Sequence, residues 1–210
     1  MYVTEIFESI QGETTHAGRR CAFVRFAGCD LRCSYCDTAY AFDGGRRMER
    51  AEILEAISRF GARFVTLTGG EPLLQKELPQ LCCELLAAGW EVSVETHGQL
   101  DLSAIPEGVH RVIDIKTPGS GAEDRGLVNL HALRPEDEVK VVLTSEDDFR
   151  WAVGIVRRFG LAQRVPVVFS PAFGSVEPRD LVRWILEEGL EVRLGLQLHK
   201  YVWGPDTRGV

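Results

Sequence analysis

Cys21-Ala22-Phe23-Val24-Arg25-Phe26-Ala27-Gly28-Cys29-Asp30-Leu31-Arg32-Cys33-Ser34-Tyr35-Cys36-Asp37-Thr38 decides how the rest of this chain is read. Its first six residues are apolar apart from Arg25 and read as a strand. The following loop holds three cysteines as Cys-x3-Cys-x2-Cys, and no fourth cysteine or histidine follows directly to close the set. Three thiolates this close can hold three corners of an iron–sulfur cube and leave the fourth iron open to a ligand that is not protein. Two rival ligand sets stay open. A structural zinc site wants four protein ligands in a closed tetrahedron, and His97 could complete one. An ordinary cluster uses four cysteines, and Cys21 or Cys82 could supply the fourth.

Outward from this stretch the chain alternates strand and helix. Phe64-Val65-Thr66-Leu67 is a short apolar strand that runs into Gly69-Gly70. Trp90–Glu95, His110–Ile115, Glu138–Leu143, Val165–Phe169 and Glu191–Leu194 read as further strands. Ile53, Leu54, Ile57 and Phe60 recur at helical spacing, with Gly61 as the expected C-cap. Leu78, Leu81, Cys82, Leu85 and Leu86 mark a second helix, with Pro79 in its first turn and Gly89 at its end. Ser145 and Asp148 form the start of a third, and Pro178 and Gly189 bracket a fourth.

This pattern predicts an α/β fold of six to seven mostly parallel strands. It forms either an open doubly wound sheet or a curved, shortened β/α barrel, since the strands are too few for a full eight-stranded one. In either case active groups gather at the carboxyl ends of the strands. Polar and glycine-rich residues concentrate there: the cysteine loop, Thr68-Gly69-Gly70-Glu71, Thr96-His97-Gly98, Lys116-Thr117-Pro118, Thr144 and Ser170-Pro171.

Length and charge narrow the class. The 210 residues suit a single domain over 1–210 with a real core. With 24 basic against 31 acidic residues the net charge is −7, which argues against a nucleic-acid-binding surface. No apolar run approaches a membrane span, and the N-terminus lacks the pattern of a signal peptide, so a cytoplasmic protein is expected. In a reducing compartment six cysteines do not imply a disulfide framework, and a clustered trio reads as metal-binding or catalytic. Cys21, Cys82 and Cys83 read as small hydrophobes in apolar runs.

The cysteine spacing followed by Thr68-Gly69-Gly70-Glu71-Pro72 resembles the radical S-adenosylmethionine (SAM) enzymes. In those, three cysteines hold a [4Fe–4S] cluster whose open iron chelates SAM, and reductive cleavage yields a 5′-deoxyadenosyl radical. Within that superfamily an ordered set is similar to the 7-carboxy-7-deazaguanine synthases. It comprises Glu5–Glu13, Phe26–Cys29, Tyr35–Thr38, Thr68–Leu74, Val94–Gly98 and Gln197–Tyr201, and it spans nearly the whole chain. The resemblance implies conversion of 6-carboxy-5,6,7,8-tetrahydropterin to 7-carboxy-7-deazaguanine with loss of ammonia, in queuosine and 7-deazapurine biosynthesis. It also implies Mg2+, a flavodoxin-like electron donor and a homodimer.

By the same resemblance, Cys29, Cys33 and Cys36 hold the cluster and Thr38 holds Mg2+. SAM meets Tyr35, Cys36, Asp37 and Gly70, then Asp114, Ile115 and Lys116, then Ser170, Pro171, Ala172 and Phe173. Ile10, Gln11, Gly12, Arg25 and Thr68 meet the substrate, Arg25 at its carboxylate, and the Val210 carboxylate can reach it. No side chain acts as a catalytic acid or base. His97 stands where the motif has asparagine. Simpler readings compete: Arg25 pairs with a carboxylate on a neighbouring strand, Glu13 caps a turn, and His199 is a core histidine. A glycyl-radical-activating enzyme shares the cysteine spacing, and a zinc-binding module is the non-catalytic alternative.

Overall fold

The computed structural model describes residues 1–122 and 126–210. Its strands are β1 (Tyr2–Ile10), β2 (Arg20–Phe26), β3 (Arg46–Arg47), β4 (Phe64–Gly69), β5 (Glu91–Thr96), β6 (Val109–Ile115), β7 (Glu138–Leu143), β8 (Val167–Pro171) and β9 (Arg193–Leu194). Its helices are α1 (Arg50–Ser58), α2 (Leu78–Ala87), α3 (Glu146–Phe159), α4 (Pro178–Glu188) and α5 (Leu198–Val202). One sheet of nine strands runs in the order β3-β1-β2-β4-β5-β6-β7-β8-β9.

From β2 onward each strand pairs in parallel with the next, without the reversal that defines a doubly wound sheet. That order selects the shortened barrel. The seven expected parallel strands are all present, and β1 and β3 raise the total to nine as antiparallel additions. β1 gives no clean alternation because its charged residues have work on both faces. Glu5 pairs with Arg25 and Glu8 with Arg20, while Ile6 packs on the core. A register shift between Val3 and Glu5 further breaks the period.

The helix ends follow local chemistry. Ser145 accepts a hydrogen bond from the Asp148 N–H at 3.2 Å, and Gly160 and Gly189 close α3 and α4 in the left-handed conformation. Gly61 is not a cap: α1 ends at Ser58 with Arg59 as its C-cap. A side chain at Gly61 would instead meet the Arg20 guanidinium, 2.5 Å from its terminal nitrogens.

Strand alternation builds two different surfaces. Val24, Leu67, Val94, Ile113, Val139 and Phe169 join the core that packs against Ile53, Leu81, Leu85, Phe149 and Leu181 of the helices. The intervening residues Arg25, Thr68, Glu95, Asp114 and Lys140 line the inner, concave side. Register sets them level, with Arg25 opposite Thr68 and Asp114 opposite Lys140.

The two sheet edges do not meet, and the C-terminal segment bridges the gap. The Leu198 N–H donates to the Gly12 carbonyl at 2.9 Å, and Lys200 pairs with Asp37 at 2.8 Å. Among the described residues, no helix is long and apolar enough to cross a membrane.

Candidate active site

A cavity of about 840 Å3 occupies the concave side of the sheet. Cys29, Cys33 and Cys36 all line it. The cysteine loop is held from both sides. Behind it, the Gly70 and Glu71 N–H groups donate to the Phe26 and Gly28 carbonyls at 3.0 and 2.7 Å. A Cβ on Gly70 would overlap the Gly28 carbonyl, so only glycine lets the end of β4 dock this closely. In front, Ser34 N–H donates to the Ser120 carbonyl at 2.7 Å.

The rival ligand sets fail on geometry. Both His97 ring nitrogens are committed: Nδ1 accepts from the Gln99 N–H at 3.1 Å, so Nε2 carries the proton and donates to Asp30 at 2.9 Å. Cys21 is fully buried beside Thr66, with its thiol pushed up to about 12 by burial. Cys82 is fully buried on the core face of α2. Neither lines the cavity. Among the described residues, no three His, Cys, Asp or Glu side chains converge tightly enough for a single ion. Three thiols spread around one cavity, with no fourth cysteine among its lining residues, fit a cubane cluster with one open corner.

Burial pushes the Cys29 and Cys33 thiols up, with Lys116 pulling back on Cys33. A bound metal core reverses that balance by favouring thiolate.

The floor of the cavity is a buried charge network. Glu13 pairs tightly with Lys140, whose ammonium also lies 3.7 Å from Asp114. Asp114 pairs with Lys116 at 3.0 Å. Burial alone would raise the Glu13 carboxyl, but Lys140 and Gln197 hold it down at about 2. Burial would lower the Lys140 ammonium, and Glu13, Asp114 and Glu95 hold it well above the usual range. Burial pushes the Glu95 carboxyl up, which Lys140 opposes and Glu13 reinforces. Gln11 ties this layer together, donating to Thr66 at 3.1 Å and Glu95 at 3.0 Å while accepting from the Glu13 N–H at 3.0 Å. Gly12 is pinned beneath α5, where a Cβ would fall 2.5 Å from His199 Nδ1.

Glu71 turns away from the cavity and is fully buried. It accepts from the Thr96 hydroxyl at 2.7 Å and from the Leu73 and His97 N–H groups at 2.9 Å each. Its place in the Gly-Gly-Glu-Pro run is therefore to lock the β4 and β5 ends together.

Of the residues singled out in the sequence, Ile10, Gln11, Gly12, Arg25, Tyr35, Asp37, Thr38, Thr68 and Gly70 line the cavity with the cysteines. Asp114, Lys116, Ala172 and Phe173 join them. Ile115 points into the hydrophobic core, and Ser170 and Pro171 are buried behind the lining. Arg25 does pair with a carboxylate on the next strand, Glu5 at 2.7 Å, yet still faces the cavity. Glu13 does more than cap a turn, and His199 lines the cavity over Gly12. Sequence reasoning passed over Glu95, Lys140, Tyr40 and Arg208. For the first two a signal existed: a charged residue inside an otherwise apolar strand points to a functional inner face. Tyr40 and Arg208 carried none.

A three-thiol loop at the first parallel strand end of a shortened barrel defines the radical SAM class, and the Radical SAM superfamily model matches residues 23–169. Fold comparison agrees: the crystal structure of QueE from Escherichia coli superposes with a TM-score of 0.77 over 94% of each chain, at 22% identity. A 7-carboxy-7-deazaguanine synthase from Koribacter versatilis is 42% identical across 100% of both chains. One from Chlorobaculum tepidum is 44% identical over 99% of this chain and 96% of its own length. The chain belongs to the 7-carboxy-7-deazaguanine synthase family of the radical SAM superfamily. Its cofactors are accordingly a [4Fe–4S] cluster and SAM.

Proposed function

We propose that this protein converts 6-carboxy-5,6,7,8-tetrahydropterin to 7-carboxy-7-deazaguanine and ammonia, by hydrogen abstraction and ring contraction, within queuosine and 7-deazapurine biosynthesis. The observation that carries this reading is one cavity, about 840 Å3, lined both by the three thiols and by Gln11, Arg25 and Thr68. Its size suits two small ligands side by side. When bound, the cluster and SAM supply the hydrogen-abstracting radical.

The protein's own residues bind, orient and exclude water. Cys29, Cys33 and Cys36 hold the cluster, with Tyr35, Asp37, Gly70 and Lys116 facing SAM beside them. Gln11, Thr68 and Glu95 offer donors and acceptors to the polar edge of a pterin, and the Arg25 guanidinium suits a carboxylate. Asp37 is fixed by Lys200 at 2.8 Å and Gln197 at 3.2 Å, which ties the cysteine loop to the C-terminal segment. That closure keeps the reacting groups aligned and water out. The Thr38 hydroxyl is an oxygen donor of the kind Mg2+ accepts, completed by substrate and water oxygens.

Residues 1–210 would act as a single domain in the cytoplasm, reduced by a flavodoxin-type donor. Exposed Leu186, Leu194, Tyr201 and Val202 support a homodimer. The decisive experiment incubates reconstituted, reduced protein with SAM, Mg2+ and the pterin under anaerobic conditions. The expected product is 7-carboxy-7-deazaguanine with ammonia, and SAM is regenerated. SAM cleavage without change in the pterin would sink the reading.

A further inference from the structure

One wall of the cavity gathers two guanidiniums around Tyr40. Glu5 Oε1 accepts from Arg25 Nε at 2.7 Å and from the Tyr40 hydroxyl at 2.8 Å. Arg25 is thus held by Nε, and no described residue accepts from its two terminal nitrogens. From the C-terminal tail, the Arg208 guanidinium lies 4.1 Å from the centre of the Tyr40 ring. It has no carboxylate partner among the described residues, and it lines the same cavity as Arg25. Two guanidiniums thus face the cavity with terminal nitrogens from which no described residue accepts.

The other cations in the cavity are already matched. Lys140 pairs with Glu13, Lys116 with Asp114 and Lys200 with Asp37. The free terminal nitrogens of Arg25 and Arg208 suit an anion of planar, fork-accepting geometry, which is what a carboxylate offers.

We propose that Arg208 is a specificity-determining residue that takes the substrate carboxylate together with the free terminal nitrogens of Arg25. This rests on the pterin reading above. The Tyr40 ring pre-positions the guanidinium by a cation–π contact and so lowers the ordering cost of binding. Binding fastens the C-terminal tail to the β2 wall of the cavity. Arg25, half committed to Glu5, offers only its terminal nitrogens.

The test measures dissociation constants of the anaerobic, SAM-loaded holoenzyme for 6-carboxytetrahydropterin and for tetrahydropterin, which lacks the carboxylate. Wild type is compared with Arg208→Gln and Arg208→Lys. Wild type should prefer the carboxylated pterin, and Arg208→Gln should cut that preference about tenfold, as loss of one charge-assisted fork predicts. Affinity for tetrahydropterin and for SAM should stay constant, which also shows the variant to be folded. Arg208→Lys should restore the preference partly, since it keeps the charge and loses the fork. An Arg208→Gln variant that keeps the wild-type preference, or weakens both pterins equally, overturns the assignment of Arg208 alone. Wild type that binds neither pterin overturns the pterin reading and this assignment with it.

Discussion

The two faces of the same strands obey different rules. On β7, Val139, Val141 and Leu143 enter a continuous apolar core, while Glu138 and Lys140 between them carry full charges on the other side. On the helix-covered face a side chain matters by its volume, and its neighbours are other apolar groups. On the concave face it matters by its charge and its partner. Stability is thus concentrated on one surface and specificity on the other, and a period of two lets a single strand serve both.

The sharpest way to break this comparison is Lys140→Met. It keeps volume but leaves Glu13 and Asp114 buried without their shared cation. Removing one partner of such a buried network costs about 3–5 kcal/mol. Urea denaturation should show that loss, and pterin turnover should fall with it. A fully tolerated Lys140→Met would mean that the concave face is governed by volume like the other.

Leu67→Ala tests the opposite face of β4. Leu67 is fully buried against the helices, so truncation should cost about 3 kcal/mol through lost transfer energy and a cavity. Below its lowered melting point, the variant should keep wild-type affinity for SAM. A changed SAM affinity at unchanged stability would show that the faces are coupled.

The smallest effect concerns acid stability. The Glu13 carboxyl lies near 2 in the folded protein, against an ordinary 4.5. A lowered carboxyl contributes stability that is present above pH 4.5 and lost as pH falls toward 2. Glu13→Gln should therefore be less stable than wild type at neutral pH and should show a shallower loss between those limits. Parallel melting curves from pH 6 to pH 2 in both proteins check the slope. Equal slopes would remove Glu13 from the acid response.

Much of this was legible because it is local in the chain. The three cysteines fall within eight residues, so spacing alone announces a metal cluster. Ser145, Pro178 and Gly189 mark helix ends by their own backbone chemistry. Strands β2 and β4 to β8 show as apolar runs because parallel strands under helices are buried, whereas β9 is exposed. β1 did not show, since its residues answer to Arg20, Arg25 and the core at once. Gly61 misled because a glycine after a helical pattern reads as a cap, whereas here it makes room for Arg20.

The site divides along the same line. The sequence by itself determined the three-thiol loop and the radical SAM class, because each depends on residues close together in the chain. Only the tertiary structure decided between a doubly wound sheet and a shortened barrel, since strand order is a long-range property. It alone showed that Glu71 is a lock between strand ends, that both nitrogens of His97 are taken, and that Lys140 neutralises Glu13 from 127 positions away along the chain. It alone brought Arg208 to Tyr40 and Arg25. Charge balance in a buried site is a sum over groups that the fold gathers, and no stretch of sequence contains that sum.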